Sequence, residues 1–233
     1  MRSHRLEVGV FAIAFAVFGL VALALIWSGG WAYELMARAT GHTQTTFIDL
    51  AGRGALGSGA FVIDLAGLRR WHEGWASYVI GLSASPPAQS GFFTADEYGH
   101  MADVRTVFRG AEIAAVLGLF VLVYRVAVAG RRGSALQLVR AGSLIAAGIV
   151  AAIGVAAVFA FDSLFLLFHD VLFPQGNFLF DPATSNLIRL YPEWYWQGIT
   201  AGVGVSFIVV ALLAGCAAHV ALRRGSNTYT RAA

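Results

Sequence analysis

Only 12% of the 233 residues are charged, there is one cysteine, and there are five prolines. None of the sixteen basic residues is lysine; all are arginine. A soluble domain is nearer a quarter charged, so a soluble globular class is excluded. The lone Cys216 excludes an internal disulfide and says nothing about redox compartment; it reads as a small packing residue. No H-E-x-x-H and no H-x₃₋₅-H occurs, so a zinc site has little support. No G-x-S-x-G occurs, and the cysteine sits in an apolar run, so a serine or cysteine acyl-enzyme is poorly supported. No run of interleaved basic and aromatic residues suggests a nucleic-acid partner.

What fills the chain instead is apolar. Hydrophobic residues make up 58%, and mean hydropathy is +0.69. About 20 apolar residues cross a bilayer core as a helix. Four such runs are readable: Val8–Trp27, Val107–Ala129, Ala141–Phe161 and Gln197–Leu222. The expected fold is an all-α integral membrane protein with four transmembrane helices and an extracytoplasmic cap between the first and second spans. The first run is too long for a signal-peptide core and no A-x-A site follows, so it reads as a retained anchor. The segments are then 1–27 (tail and span 1), 28–106 (cap), 107–161 (spans 2 and 3), 162–196 (an extracytoplasmic aromatic loop) and 197–233 (span 4 and tail). Gly142, Gly148, Gly154, Gly198 and Gly202 suggest close helix packing.

Nine arginines (2, 5, 125, 131, 132, 140, 223, 224 and 231) lie at the termini or between spans 2 and 3, with one acid, Glu7. The positive-inside rule places those segments, and both termini, in the cytoplasm. The high pI of about 9.3 reflects topology.

In the cap, Phe61–Leu82 reads as an amphipathic helix whose Trp71, Trp75, Tyr78, Val79 and Leu82 share one face, suited to lying on the membrane. The sequence IDLAG occurs at Ile48 and again at Ile63, as two similar short helical surfaces or by coincidence. Thr94 is an expected N-cap with Glu97 at the capping-box position, starting a helix that enters span 2. That helix delivers His100, Asp103, Arg105 and Arg109 to the membrane boundary. The stretch FHDVLFPQGNFLFDP, Phe168–Pro182, delivers His169 to the same boundary among phenylalanines. This convergence is the main functional signal. His4, His42, His72 and His219 are expected to be ordinary solvated or interfacial residues. An imidazole can exchange a proton near neutral pH, and a neighbouring carboxylate can fix its tautomer.

GHMADVR at Gly99–Arg105 and FHDVLFPQGNFLFDPATSNLIRLYPEWYW at Phe168–Trp196 resemble the lipoprotein intramolecular transacylase family, Lit. The sequence departs from the family pattern at Asn177-Phe178, where asparagine or a small residue precedes tryptophan; an aromatic is kept. The resemblance implies movement of the sn-2 acyl chain of a diacylglyceryl lipoprotein to the α-amine of its N-terminal cysteine. It implies His100 and His169 as the catalytic residues, action at the outer face of a bacterial cytoplasmic membrane, and no metal or cofactor. The expected partners are the lipoprotein substrate and membrane lipid. On this reading His169 is the base, held by Asp170 or Asp162, and His100 its partner, oriented by Asp103; the two roles can be exchanged. Arg105 is a further candidate for stabilising the oxyanion. Phe168, Phe173, Phe178, Phe180, Trp194, Tyr195 and Trp196 would enclose the acyl chains. The residues alone also admit a metal-dependent lipid hydrolase or a lipid-binding accessory protein.

Overall fold

The computed structural model describes residues 2–50, 59–88 and 91–231, and side chains within them except at 2–4 and 226–231. The side-chain expectations for His4, Arg2 and Arg231, and the end of the first IDLAG, lie outside these. The chain is mostly helical: α1 (Arg2–Trp27), α2 (Gly30–Ala39), strands β1 (Gln44–Ile48) and β2 (Ala60–Asp64), α3 (Leu65–Val79), α4 (Ala95–Arg131), α5 (Ala135–Leu172), α6 (Asn186–Leu190) and α7 (Glu193–Arg231). α1, α4, α5 and α7 are long and apolar enough to cross a membrane. Contacts divide the chain into two compact units, residues 1–24, 111–159 and 201–233, and residues 25–110 and 160–200.

In the first unit, Val8, Phe11 and Ala14 pack with Leu122, Ala129 and Leu138, and Ala12, Ala146, Val150, Phe207 and Ala211 form a second cluster. Between helices without a hydrophobic driving force, small residues permit the close approach that dispersion needs. Gly142 lies against Phe11, Gly19 against Phe207 and Gly118 against the Ala14 carbonyl. Gly148 and Gly154 differ from expectation, with open space where a Cβ would point. The outward residues are apolar: Ile113 is 63% exposed, Phe120 68% and Phe159 86%. In water such a surface would be a severe liability; hydrocarbon accepts it. Arg132 pairs with Glu7 at 2.9 Å, and Arg140 donates to His219 Nδ1 at 3.3 Å, so His219 is not merely solvated.

The second unit has an aromatic core that includes Tyr33, Phe47, Leu68, Trp75, Phe93, Leu187, Leu190 and Tyr195. β1 and β2 pair antiparallel, with Phe47 opposite Phe61 and Gln44 opposite Asp64. The all-helical expectation for the cap missed this ribbon. Phe61–Asp64 is strand, not helix, because Phe-Val-Ile favours a pleated surface and Asp64 then caps α3 by accepting from Gly67 N at 2.8 Å. Both IDLAG copies therefore begin at strand ends rather than on helical surfaces.

α3 is amphipathic as expected, but its apolar face is turned into protein. Trp75 is fully buried, with Leu68, His72 and Val79. His72, expected to be solvated, stacks on Tyr33 with centroids 4.8 Å apart. Its Nε2–H donates to the Ser28 carbonyl at 3.0 Å, which leaves Nδ1 to accept from the Tyr191 hydroxyl at 3.3 Å. Burial holds His72 neutral, with its pKa lowered to about 4, and pushes the Tyr191 phenol well up. Arg69 bridges Glu34 and Glu73 on α2 and α3 at 3.0 and 2.8 Å, but exposure keeps such pairs weak.

α6 is sewn to β1 chiefly by a buried side chain. Asn186 accepts from Ile48 N, donates to the Ile48 carbonyl and donates to the Phe92 carbonyl. A fully buried carboxamide with three partners fixes register in a way that apolar contact cannot.

Candidate functional site

The start of α4 is built as its sequence requires. Thr94 Oγ1 accepts from Glu97 N at 3.2 Å, and Glu97 Oε2 accepts from Thr94 N at 2.7 Å, closing the expected capping box. The other oxygen, Oε1, accepts from Ser185 Oγ at 2.6 Å and Leu187 N at 2.8 Å. Glu97 is fully buried. One carboxylate thus satisfies three donors and locks the turn that carries His100 to the segment that follows Phe180.

α5 does not stop at Phe161. It continues to Leu172, with one residue off helical geometry, Ala160 (φ −141°, ψ 38°). Phe168, His169 and Asp170 are therefore on a helix rather than on a loop. Neighbours on a helix point about 100° apart, so Asp170 cannot hold His169; it faces outward and is exposed, as is Asp162. The group that holds His169 is the Phe165 carbonyl, one turn back, 2.8 Å from Nδ1. A carbonyl only accepts, so Nδ1 carries the proton and Nε2 is left with a lone pair.

After α5 the chain reverses in a turn closed by Gly176 N donating to the Phe173 carbonyl at 2.9 Å. Pro174 presets the backbone at the second position, and Gly176 takes φ +76°, where a side chain would be strained. The turn brings Gln175 and Asn177 onto Asp103 Oδ2, both donating to it, Gln175 at 2.9 Å. Asp103, expected to orient His100, makes its hydrogen bonds to these amides. His100 Nδ1 and Asn177 Oδ1 are both buried without a hydrogen-bond partner.

His100 and His169 come together, each 8% exposed. Their centroids are 6.3 Å apart with planes 21° from parallel. Phe173, 2% exposed, touches both rings, at 5.0 Å from His100 and 5.5 Å from His169. Phe180 contacts His100 at 5.6 Å, and Phe165, Phe168 and Phe178 contact His169 at 4.2, 5.4 and 5.1 Å. Two imidazoles in an aromatic enclosure can pass protons where bulk water has little access.

Other expected members stand elsewhere. Arg105 donates to the Ser83 and Ala84 carbonyls and lies over the Tyr78 ring at 4.4 Å, so its guanidinium is engaged with the end of α3. Trp194 stacks on His42, and Tyr195 joins Tyr33, His72 and Tyr191; neither ring meets either site imidazole among the described residues. Among the described residues, Trp196 reaches the site through Phe165, at 5.7 Å. A pocket of about 300 Å³ opens in the same unit between His42, Gln44, Arg189 and Trp194, away from the histidine pair. Arg189 there staples α6 to the Thr46 and Ala183 carbonyls. Among the described residues, no three histidine, cysteine, aspartate or glutamate side chains are grouped as a metal would require.

No curated protein matches the sequence. Solved structures do. The integral membrane lipoprotein intramolecular transacylase Lit from Bacillus cereus aligns with a TM-score of 0.70 at 18% identity, over 100% of this chain and 99% of that one. A histidine-to-arginine variant and a histidine-to-alanine variant of that protein each align at 0.68 and 16% identity, over 97% of this chain and 95% and 96% of theirs. At such identity the likeness establishes the fold. The family described as lipoprotein intramolecular transacylase Lit matches residues 79–196, half of the chain, a span that holds His100, Asp103, Asn177 and His169. With fold and sequence in agreement, this integral membrane protein belongs to the lipoprotein intramolecular transacylase family and is an acyltransferase.

Proposed function

We propose that the enzyme moves the sn-2 acyl chain of a diacylglyceryl lipoprotein to the α-amine of the lipid-bearing N-terminal cysteine, producing the lyso form. The observation that carries this reading is the enclosed pair of His100 and His169. Nucleophile and electrophile are both supplied by the substrate, so the protein needs no nucleophile of its own. Attack closes a medium ring through the amine nitrogen, Cα, Cβ, sulfur, two glyceryl carbons, the ester oxygen and the carbonyl carbon. Holding that ring's ends together lowers an entropic barrier. The N–C bond forms, and the bond between carbonyl carbon and glyceryl oxygen breaks.

The protons balance over two imidazoles. The arriving ammonium must lose one proton to become a nucleophile, and its nitrogen loses a second after attack. His100 takes the first, stabilises the oxyanion as an imidazolium, and gives its proton to the departing glyceryl oxygen. His169, with Nδ1 tied to the Phe165 carbonyl, presents Nε2 to take the second. Phe168, Phe173, Phe178 and Phe180 exclude the water that would hydrolyse the ester. The arginine distribution supports both termini in the cytoplasm and the site at the outer face of a bacterial cytoplasmic membrane.

The test uses a synthetic diacylglyceryl lipopeptide with acyl chains of different mass at sn-1 and sn-2. The reading expects the sn-2 chain on nitrogen and the sn-1 chain still on oxygen. Release of the sn-2 chain as free acid would point to a hydrolase and overturn it.

A further inference from the structure

Two complementary groups are left unsatisfied beside one another in the site. His100 Nδ1 and Asn177 Oδ1 are both buried and partnerless, and the Asn177 carboxamide stands within interaction range of the His100 ring. The orientation of that carboxamide is not free. Its Nδ2 donates to Asp103 Oδ2, and a carboxylate only accepts, so Oδ1 is the end left for the imidazole. Gln175 donates to the same Asp103 oxygen and fixes the carboxylate from a second side. Buried polar groups in native proteins are paired as a rule, and each of these two offers what the other lacks.

We infer that Asn177 is a positioning residue for the acyl transfer: an amide bridge from Asp103 that accepts His100 Nδ1–H and so aims Nε2 at the substrate. The inference rests on the reading in which His100 handles a proton. The bridge fixes the neutral tautomer and remains satisfied when Nε2 is protonated, since Nδ1 is a donor in both states. A carboxylate placed directly on Nδ1 would do this too, but Asp103 makes its bonds to the turn. The carboxamide carries the constraint across, and the turn's Pro174 and Gly176 determine where the carboxamide lies. Asn177 touches no reacting atom in this scheme.

The tests separate positioning from mere structure. Asn177→Ala is expected to lower kcat at least about tenfold while KM stays within about threefold, because substrate grip is unchanged and proton transfer is not. In ¹⁵N-histidine-labelled protein, His100 should show protonated Nδ1 in the wild type and a tautomer mixture in Asn177→Ala. Asn177→Asp should be impaired, because two carboxylates then face one another. The exchanged pair, Asp103→Asn with Asn177→Asp, restores one donor and one acceptor and should recover the Nδ1–H tautomer and a rate within about threefold of wild type. An unchanged rate and tautomer in Asn177→Ala, or an exchanged pair no better than Asn177→Asp, would overturn the bridge. His100→Ala is the separate control: full activity there would defeat the functional reading, while the tautomer signal would still judge the bridge.

Discussion

Glu97 Oε1 and Ser185 Oγ are 2.6 Å apart inside the protein, and through them the helix start that bears His100 is fixed to the chain beyond Phe180. The same carboxylate caps its own helix and receives Leu187 N. Removing it strands three donors. Glu97→Ala should destabilise the protein by about 2–4 kcal/mol, with Glu97→Gln losing less. Thermal unfolding in detergent, followed by tryptophan fluorescence, checks the order of the two.

His72 gives the second unit a pH dependence. Its folded pKa of about 4 lies below the unfolded value near 6.5. The stability it contributes is complete above pH 6.5, is lost as the pH falls toward 4 while the unfolded chain alone takes up the proton, and changes no further below that. The whole window is worth on the order of 3 kcal/mol. The melting temperature of the wild type should fall more between pH 7 and 4.5 than that of His72→Gln. Equal slopes would show that the ring is not held neutral.

On the proposed function, Phe173 keeps water from competing with acyl transfer. Among the described residues, its ring contacts both imidazoles. Phe173→Ala should admit water and raise the ratio of free fatty acid to N-acyl product about tenfold, equivalent to about 1.4 kcal/mol between competing barriers. Phe173→Leu should hold the ratio near wild type. Quantifying both products from one lipopeptide reads it directly.

In the first unit, Gly142 lies against Phe11, which is itself buried. Gly142→Ala should cost about 1–3 kcal/mol through overpacking. Gly148→Ala, in open space, should be nearly neutral. Paired melting curves in detergent would show whether the two differ.

What was legible followed from local rules. The four spans, the Thr94–Glu97 capping box and the arrival of His100 and His169 at one place can be read from apolar length, spacing and the position of each histidine relative to a span. What failed was set by tertiary context. Asp170 follows His169 in sequence but diverges from it on a helix that outlasts its apolar run. Asp103 lies one turn from His100, yet a turn some seventy residues later takes its carboxylate. Trp71 and Trp75 have the spacing of a membrane-surface helix, and only the rings of Phe92, Phe93 and Tyr98 around them turn that face inward. His72 carried no motif at all; its burial depends on Ser28 and Tyr191, distant along the chain in both directions.

The proposed activity of the enclosed histidine pair is movement of an acyl chain from oxygen to nitrogen. Its most direct test is fragmentation mass spectrometry of a reporter lipoprotein's N-terminal lipopeptide, from a host without N-acylating enzymes of its own. Total mass is unchanged by migration, so the fragments must locate the chain. An N-acyl fragment with the wild type, and its loss with membrane-inserted His169→Ala and His100→Ala, is the expected result. N-acylation by both variants at the wild-type level, or a diacylglyceryl form left intact by inserted wild-type protein, would contradict the account.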